Sequence, residues 1–398
     1  VDIGTTTVAL LVCDLRDGQV LAGAANFNKQ MHLGDDVLTR INLCTTDPGQ
    51  VQHLRDLIVK ETITPLLNEA LKKVEATMAN ICCMTVAGNT TMLHLLAGED
   101  PSSMGVAPFT PSFLEHRIIT LPEWPFTVHL LPGAAAYVGA DLTAGALATG
   151  LIYDEGPSLL VDVGTNGEIV LKRGERIYGC ATAAGPAFEG AGLTNGVRAA
   201  DGAISHVEVN PETHTLKFEK IGQAPPIGLC GTAYVDFLAQ GRMTGLLGEN
   251  GRFTERAVAH TVPWKDYGRA IRVAREIVIT EVDIANLLQA KAAIAAGILT
   301  LLERIHLTPS QIKRVYLAGG FGLHLIKEHA IGCGLLPGFT PEQIEVVGNT
   351  SLAGAYLSLL DCGALDEIAR AGKRMEVVEL NLDPGFEDRY VEQLTLPG

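Results

Sequence analysis

Two strand-turn signatures of one kind recur 160 residues apart, Val1-Asp2-Ile3-Gly4-Thr5-Thr6-Thr7 and Leu160-Val161-Asp162-Val163-Gly164-Thr165-Asn166-Gly167. In each, an apolar strand delivers an Asp, and a Gly set beside hydroxyl or amide residues lets backbone N–H groups turn inward around an anion. One carboxylate per loop would repel a polyphosphate unless a divalent cation lies between them, met directly or through its waters. A lone Asp-x-Gly-Thr ends strands in many unrelated chains. Its repetition constrains the fold, because it implies two like half-molecules with an Mg–nucleotide held between them.

The pattern around the two signatures repeats as well. A strand through Val12, a turn at Asp17-Gly18 and a strand over 20–27 form a hairpin that carries the first loop. Asp47-Pro48 opens a helix with Leu54, Leu57, Ile58, Leu66 and Leu67 on its apolar side. A strand over 81–86 runs into Asn89-Thr90-Thr91, a Pro-rich stretch over 101–132 reads as an elaborated loop or small insertion, and a helix follows over 141–149. At Leu159 the order restarts: strand, Gly loop, strands over 168–172 and 176–182. A long helix over 283–304, a strand over 315–317 ending in Gly319-Gly320-Phe321, a strand over 344–347 and a helix over 352–360 complete it. Restarting αβ units predict an α/β fold with an internal duplication, its domains spanning 1–157 and 158–398.

A chain of 398 residues, 47% hydrophobic and 19% charged, can build two sizeable cores. A formal charge of −15, with no Lys/Arg-dense run, excludes nucleic acid and anionic membrane as partners and fits a protein partner. The most apolar helix-like run, 292–302, lies between Lys291 and Glu303 and is too short to span a bilayer. The eight cysteines include no C-x-x-C and no ferredoxin-type cluster, so they read as reduced cytoplasmic thiols, with Cys82-Cys83 packed in an apolar strand. An opening inside a strand, without Met, is what a piece of a longer polypeptide would show. His324 and His329 lack metal spacing and read as surface side chains.

Gly319-Gly320 after an apolar strand leaves room for a flat ring against the backbone and suits adenosine. In order with the two Asp loops, and with the segments 132–150 and 351–360 as helices crossing between domains, it resembles the actin, hexokinase and Hsp70-type ATPase superfamily. Further segments narrow the resemblance: Gly88-Asn89-Thr90-Thr91-Met92-Leu93-His94, Ala107-Pro108-Phe109, Ala183-Ala184-Gly185-Pro186-Ala187-Phe188-Glu189-Gly190, Gln289-Ala290-Lys291-Ala292 and Asp383-Pro384-Gly385-Phe386. Together they look like the reductive activators of corrinoid proteins. The sequence departs from that pattern at Leu33-Gly34-Asp35-Asp36, where Tyr-Gly-Ala-Asp is usual, and at Gly231-Thr232-Ala233, where Gly-Ser-Gly is usual.

The resemblance implies duplicated actin-like (ribonuclease H-like) ATPase domains with a nucleotide cleft between them. It also implies ATP-driven one-electron reduction of an inactive Co(II) corrinoid protein to Co(I), with electrons from a [2Fe-2S] domain upstream of these residues. The partner would be a corrinoid iron–sulfur protein or the corrinoid component of a methyltransferase, and a homodimer is compatible with this reading. Asp2 and Asp162 are expected at Mg2+ and its water shell, with Asp162 the helper of hydrolysis. Gly4, Thr5, Thr6, Thr7, Gly164, Thr165, Asn166 and Gly167 are expected around the phosphates. Gly319, Gly320 and Phe321 would flank adenosine, and Lys291 would reach ribose or adenine unless it lies on a solvated helix face. Asn89, Thr90 and Thr91 line the cleft or cap a helix. Glu189 is a candidate for ordering water or the partner.

Two other functions suit the same architecture. A small-molecule kinase needs a carboxylate base near the γ-phosphate. The strand that often supplies it ends here in Asn89, an amide, leaving Asp35, Asp36 or Asp141 as substitutes. A non-enzymatic, nucleotide-gated binding module would grip its partner without turnover.

Overall fold

The computed structural model describes residues 1–265, 268–319 and 324–398. Gly320 and Phe321 lie outside the described residues. Contacts divide the chain into two units, one of Val1–Glu155, Val170–Cys180 and Asn349–Val377, the other of Gly156–Ile169, Ala181–Gly348 and Val378–Gly398.

In the first unit, β1 (Asp2–Ile3), β2 (Thr7–Cys13), β3 (Val20–Phe27), β4 (Cys83–Gly88), β5 (Arg117–Thr120) and β6 (Thr127–Leu130) form one sheet, ordered β3-β2-β1-β4-β6-β5. The hairpin β2–β3 turns at Gly18, whose φ of 77° suits a residue without a side chain. Val8 and Leu10 alternate inward from β2, and β4 is buried along most of its length, as a central parallel strand should be. Helical segments Gly49–Asp56, Leu57–Ile63 and Thr64–Lys73 follow one another without a break, and place Leu54, Leu57, Ile58, Leu66 and Leu67 in the core. The middle segment is a π-helix; there the Thr62 hydroxyl donates to the Leu57 carbonyl, five residues back.

Three features of this unit depart from the sequence expectation. Helix Val37–Thr46 was unexpected; Asp36 caps it by accepting from the Thr39 N–H at 2.8 Å and the Thr39 hydroxyl at 2.9 Å. The Pro-rich stretch is more than a loop, since β5 and β6 pair antiparallel within it and β6 extends the sheet from β4. Cys82 is exposed and Cys83 only half-buried, because β4 begins at Cys83 and the chain is still entering the sheet.

The remaining strands are β7 (Ser158–Val163), β8 (Gly167–Arg173), β9 (Arg176–Thr182), β10 (Ala203–Val209), β11 (Leu216–Lys220), β12 (Gly228–Leu229), β13 (Thr261–Pro263), β14 (Arg269–Arg272), β15 (Val278–Thr280), β16 (Arg314–Gly319), β17 (Ile344–Gly348) and β18 (Met375–Val377). A second six-stranded sheet runs β17-β16-β7-β8-β9-β18. It repeats the first in kind: β3-β2-β1-β4 in one, β9-β8-β7-β16 in the other, an Asp-bearing strand with its hairpin on one side and a parallel neighbour on the other. Two small sheets, β11-β10-β12 and β13-β14-β15, were not foreseen.

Helix Glu281–Arg304 starts at a capping box between Thr280 and Asp283 and is apolar on nearly all sides. By length and composition it could cross a membrane, longer than the run read from sequence, yet 78% of its apolar window is buried within the protein.

Candidate nucleotide site

The two sheets repeat the same junction at the end of the Asp strand. In the first, Asp2 pairs with Ala87 and Ile3 with Gly88; in the second, Asp162 pairs with Ala318 and Val163 with Gly319. A Cβ on Gly88 would lie 2.7 Å from the Ile3 carbonyl oxygen, and one on Gly319 only 2.2 Å from that of Val163. Gly319 also holds φ at +113°, which a residue with a side chain rarely adopts. A glycine at these points therefore lets the neighbouring strand end close against the Asp strand. It places Asn89-Thr90-Thr91 beside the first loop and Gly319 beside the second.

In the first unit the loop is held from behind. Asn28 Nδ2 donates to the Gly4 carbonyl at 3.1 Å, Arg40 Nη2 to the Thr5 carbonyl at 2.6 Å, and the Asn28 N–H to the Thr6 carbonyl at 2.8 Å. Because a trans peptide points its N–H opposite its C=O, the amides of Thr5 and Thr6 turn toward the other side. The Asp2 carboxylate accepts from Asn349 Nδ2 at 2.8 Å and from Ser351 Oγ at 2.7 Å. Asn349 also caps helix Thr350–Leu360, and Thr85 Oγ1 donates to Ala355, fastening that helix to β4. Asn89 caps helix Thr90–Ala97, Thr90 Oγ1 donates to Ala135, and the buried Thr91 hydroxyl has no partner among the described residues.

Asp141, in the first turn of helix Ala140–Ala148, adds a second carboxylate near Asp2. Burial raises the Asp2 pKa against the opposing effect of its Ser351 and Asn349 hydrogen bonds. Burial, with the Asp2 charge adding to it, pushes Asp141 up to about 7. A carboxyl raised in the folded state binds its proton more tightly there than in the unfolded chain. The stability it contributes is present below the ordinary Asp pKa and is lost as pH rises toward 7. Asp141→Asn is accordingly expected to flatten the fall in melting temperature between pH 5 and 8 and to stabilise the nucleotide-free chain at pH 8, which a thermal melt series will read.

In the second unit, Gly164 N–H donates to the Asn166 carbonyl at 3.2 Å and Gly185 N–H to that of Thr165 at 2.8 Å, closing the loop onto the segment after β9. Thr165 Oγ1 donates to Glu189 Oε1 at 2.7 Å, so Glu189 packs against the second Asp loop. Burial lowers the Arg198 pKa, and the nearby Glu189 carboxylate opposes that shift. Gly167 begins β8, where a Cβ would meet Thr182 Oγ1 and Ile294 Cγ1, each at 2.6 Å.

Lys291 is not on a solvated face. It is fully buried and its Nζ donates to the Thr395 carbonyl at 2.6 Å. Burial lowers its pKa to about 8. His329 also departs from expectation: its Nδ1 lies 2.6 Å from Asp236 Oδ1, while His206 Nδ1 lies 2.8 Å from Oδ2 of the same buried carboxylate. Sequence reading missed Asn28, Arg40, Asn349 and Ser351, since each reaches its loop from a distant part of the chain. The Asn after a strand and before an apolar run at 349 was the one legible sign.

A family model described as the C-terminal domain of RACo, the ASKHA domain, matches residues 156–398, and the RACo middle region matches residues 1–154. The chain belongs to the RACo family. Its α/β architecture is therefore of the ASKHA, actin-like type. The corrinoid activation enzyme RamQ of Eubacterium limosum is 32% identical over 98% of this chain and 68% of its own length. A Methanosarcina barkeri protein named [Co(II) methylated amine-specific corrinoid protein] reductase is 25% identical over 99% of the chain and 76% of its own. A solved reductive activator for corrinoid, iron–sulfur protein superposes with a TM-score of 0.95 at 37% identity, covering all of this chain. The chain spans 65% of the length of that solved activator.

Proposed function

We propose that the chain binds and hydrolyses Mg–ATP through its two Asp loops, and that this drives reduction of an inactive Co(II) corrinoid protein to Co(I). The observation that supports the reading best is the duplicated junction of an Asp strand against a glycine-ended parallel strand, in a chain of the RACo family. The names of the relatives supply the corrinoid partner. A [2Fe-2S] electron carrier acts from outside these residues.

The carboxylates fit magnesium. Mg2+ ordinarily takes one or two carboxylates together with substrate phosphates and water, and the Asp2 carboxylate is already oriented by Asn349 and Ser351. Asp2 and Asp162 are the residues that would hold it, and when bound it neutralises charge on the phosphate oxygens. Asn349 and Ser351 keep Asp2 oriented and favour its ionised form. The amides of Thr5 and Thr6 and of Thr165 and Asn166 face phosphate, while the Gly4 and Gly164 N–H groups close their own turns onto the Thr7 and Asn166 carbonyls, Glu189 holds the Thr165 hydroxyl, and Gly319 gives adenosine access to the backbone. Asp162 orients the attacking water.

A nucleotide can drive an unfavourable reduction only through differential binding. Raising a one-electron potential by roughly 240 mV, at about 59 mV per tenfold, needs the reduced partner to be bound roughly 10⁴-fold more tightly, about 5.5 kcal/mol. A single nucleotide-biased equilibrium can supply that.

The test combines the chain, a reduced [2Fe-2S] carrier and a Co(II) corrinoid protein, with the Co(I) absorption followed after addition of Mg–ATP. Co(I) formation that requires both the chain and ATP is expected. Equal Co(I) without ATP, or transfer of labelled phosphate to a hydroxyl metabolite, would contradict the proposal.

A further inference from the structure

Arg40 is fully buried, and every group among the described residues that accepts from it is neutral. Its Nε donates to the Gly34 carbonyl at 3.0 Å, Nη1 to Gln30 Oε1 at 2.9 Å and to Met92 Sδ at 3.1 Å, and Nη2 to the Thr5 carbonyl at 2.6 Å. A buried guanidinium normally has a carboxylate against it. Here none touches it among the described residues. Asp35 and Asp36 act only through space, and Asp36 is committed to Thr39. Burial lowers the Arg40 pKa to about 10, which leaves it charged at neutral pH.

A whole positive charge is thus sealed behind the first Asp loop, with Gln30 itself buried and anchored to the Leu54 carbonyl at 2.8 Å. The charge is joined to the loop by the Thr5 carbonyl, and the amides of that stretch face the opposite side. An anion seated on those amides would supply the missing counter-charge. We propose that Arg40 is a positioning residue that sets the loop's shape and also serves as the resident counter-charge for a phosphate group bound there. The ligand class is a phosphoanhydride anion, and its affinity depends on the number of charged phosphates rather than on the nucleoside. This inference rests on the loop being a phosphate site.

Two variants separate charge from shape. Arg40→Gln removes the charge. Gln30→Glu leaves Arg40 and its bond to Thr5 in place and sets a carboxylate against Nη1, so it serves even if the first variant fails to fold. Arg40→Lys keeps a charge without the planar fork. Each protein is titrated with Mg–ATP, Mg–ADP and adenosine by calorimetry, after a thermal melt confirms folding. Because a desolvated charge interacts strongly with a nearby anion, both neutralised proteins are expected to bind ATP roughly 10- to 100-fold more weakly and ADP less so. Adenosine should change by less than about twofold, and Arg40→Lys, which keeps the charge but loses the fork that shapes the loop, should bind ATP more tightly than Arg40→Gln. Equal losses for all three ligands, Arg40→Lys as weak as Arg40→Gln, or full ATP affinity in Gln30→Glu would overturn the counter-charge role while leaving the ATP site standing. No ATP binding by the unaltered chain would overturn both.

Discussion

Asp162→Asn is expected to slow ATP hydrolysis by about 10²- to 10³-fold, the range in which loss of a single preorganised electrostatic contact falls. The amide matches the carboxylate in size and stays at the same point of β7, opposite Ala318, so the strand pairing has no reason to change. What is lost is the negative charge that would hold metal-bound water and orient the nucleophile. Single-turnover phosphate release measures this directly. Turnover within about threefold of the unaltered chain, a small fraction of the cost of a preorganised contact, would remove Asp162 from the chemistry.

Gly354→Val is expected to be the most damaging change to the first unit. Helix Thr350–Leu360 crosses helix Ala140–Ala148 at this residue, where a Cβ would lie 2.3 Å from the Ala144 carbonyl oxygen and 2.6 Å from the Ala144 Cβ. Backbone cannot yield as a flexible side chain can, so the helices must separate. Overpacking of this kind costs about 3 kcal/mol or more, equivalent to a fall of roughly 6–12 °C in melting temperature for a unit of this size. The same displacement draws Ser351 away from Asp2 and lifts the Thr85–Ala355 tie. Loss of Mg–ATP binding should therefore accompany the thermal shift. Differential scanning calorimetry reads the first effect and nucleotide titration the second; an unshifted melt would contradict the packing argument.

Local chemistry explains which parts were legible in the sequence. The β2–β3 hairpin, the β7 restart and the long helix announce themselves through alternation, turn glycines and helical periodicity, all written within a few residues. Helix Val37–Thr46 was hidden because Val37, Thr39, Ile41, Asn42, Thr45 and Thr46 give it weak helix propensity, and its strongest mark is the Asp36 cap. Strands β5 and β6 lay among prolines, which punctuate short strands as readily as they interrupt loops. The Asp loops were visible as motifs, but their supports were not. Asn349 and Ser351 reach Asp2 from across nearly the whole sequence, and Arg40 takes the Thr5 carbonyl from a helix that propensity alone does not reveal. Lys291 had the pattern of a mid-helix lysine, which is usually solvated; only the tertiary position of the Thr395 carbonyl shows why it is buried.

If the two related Asp loops serve one Mg–ATP, calorimetry will show it. The most direct measurement is a calorimetric titration of the chain with ATP, with and without Mg2+, repeated for Asp2→Asn and Asp162→Asn. One nucleotide per chain is expected, bound tightly only with Mg2+ and weakened by about tenfold or more in either variant, a loss of at least about 1.4 kcal/mol. Two independent sites, Mg2+-indifferent binding, or a variant that binds as well as the unaltered chain would contradict it.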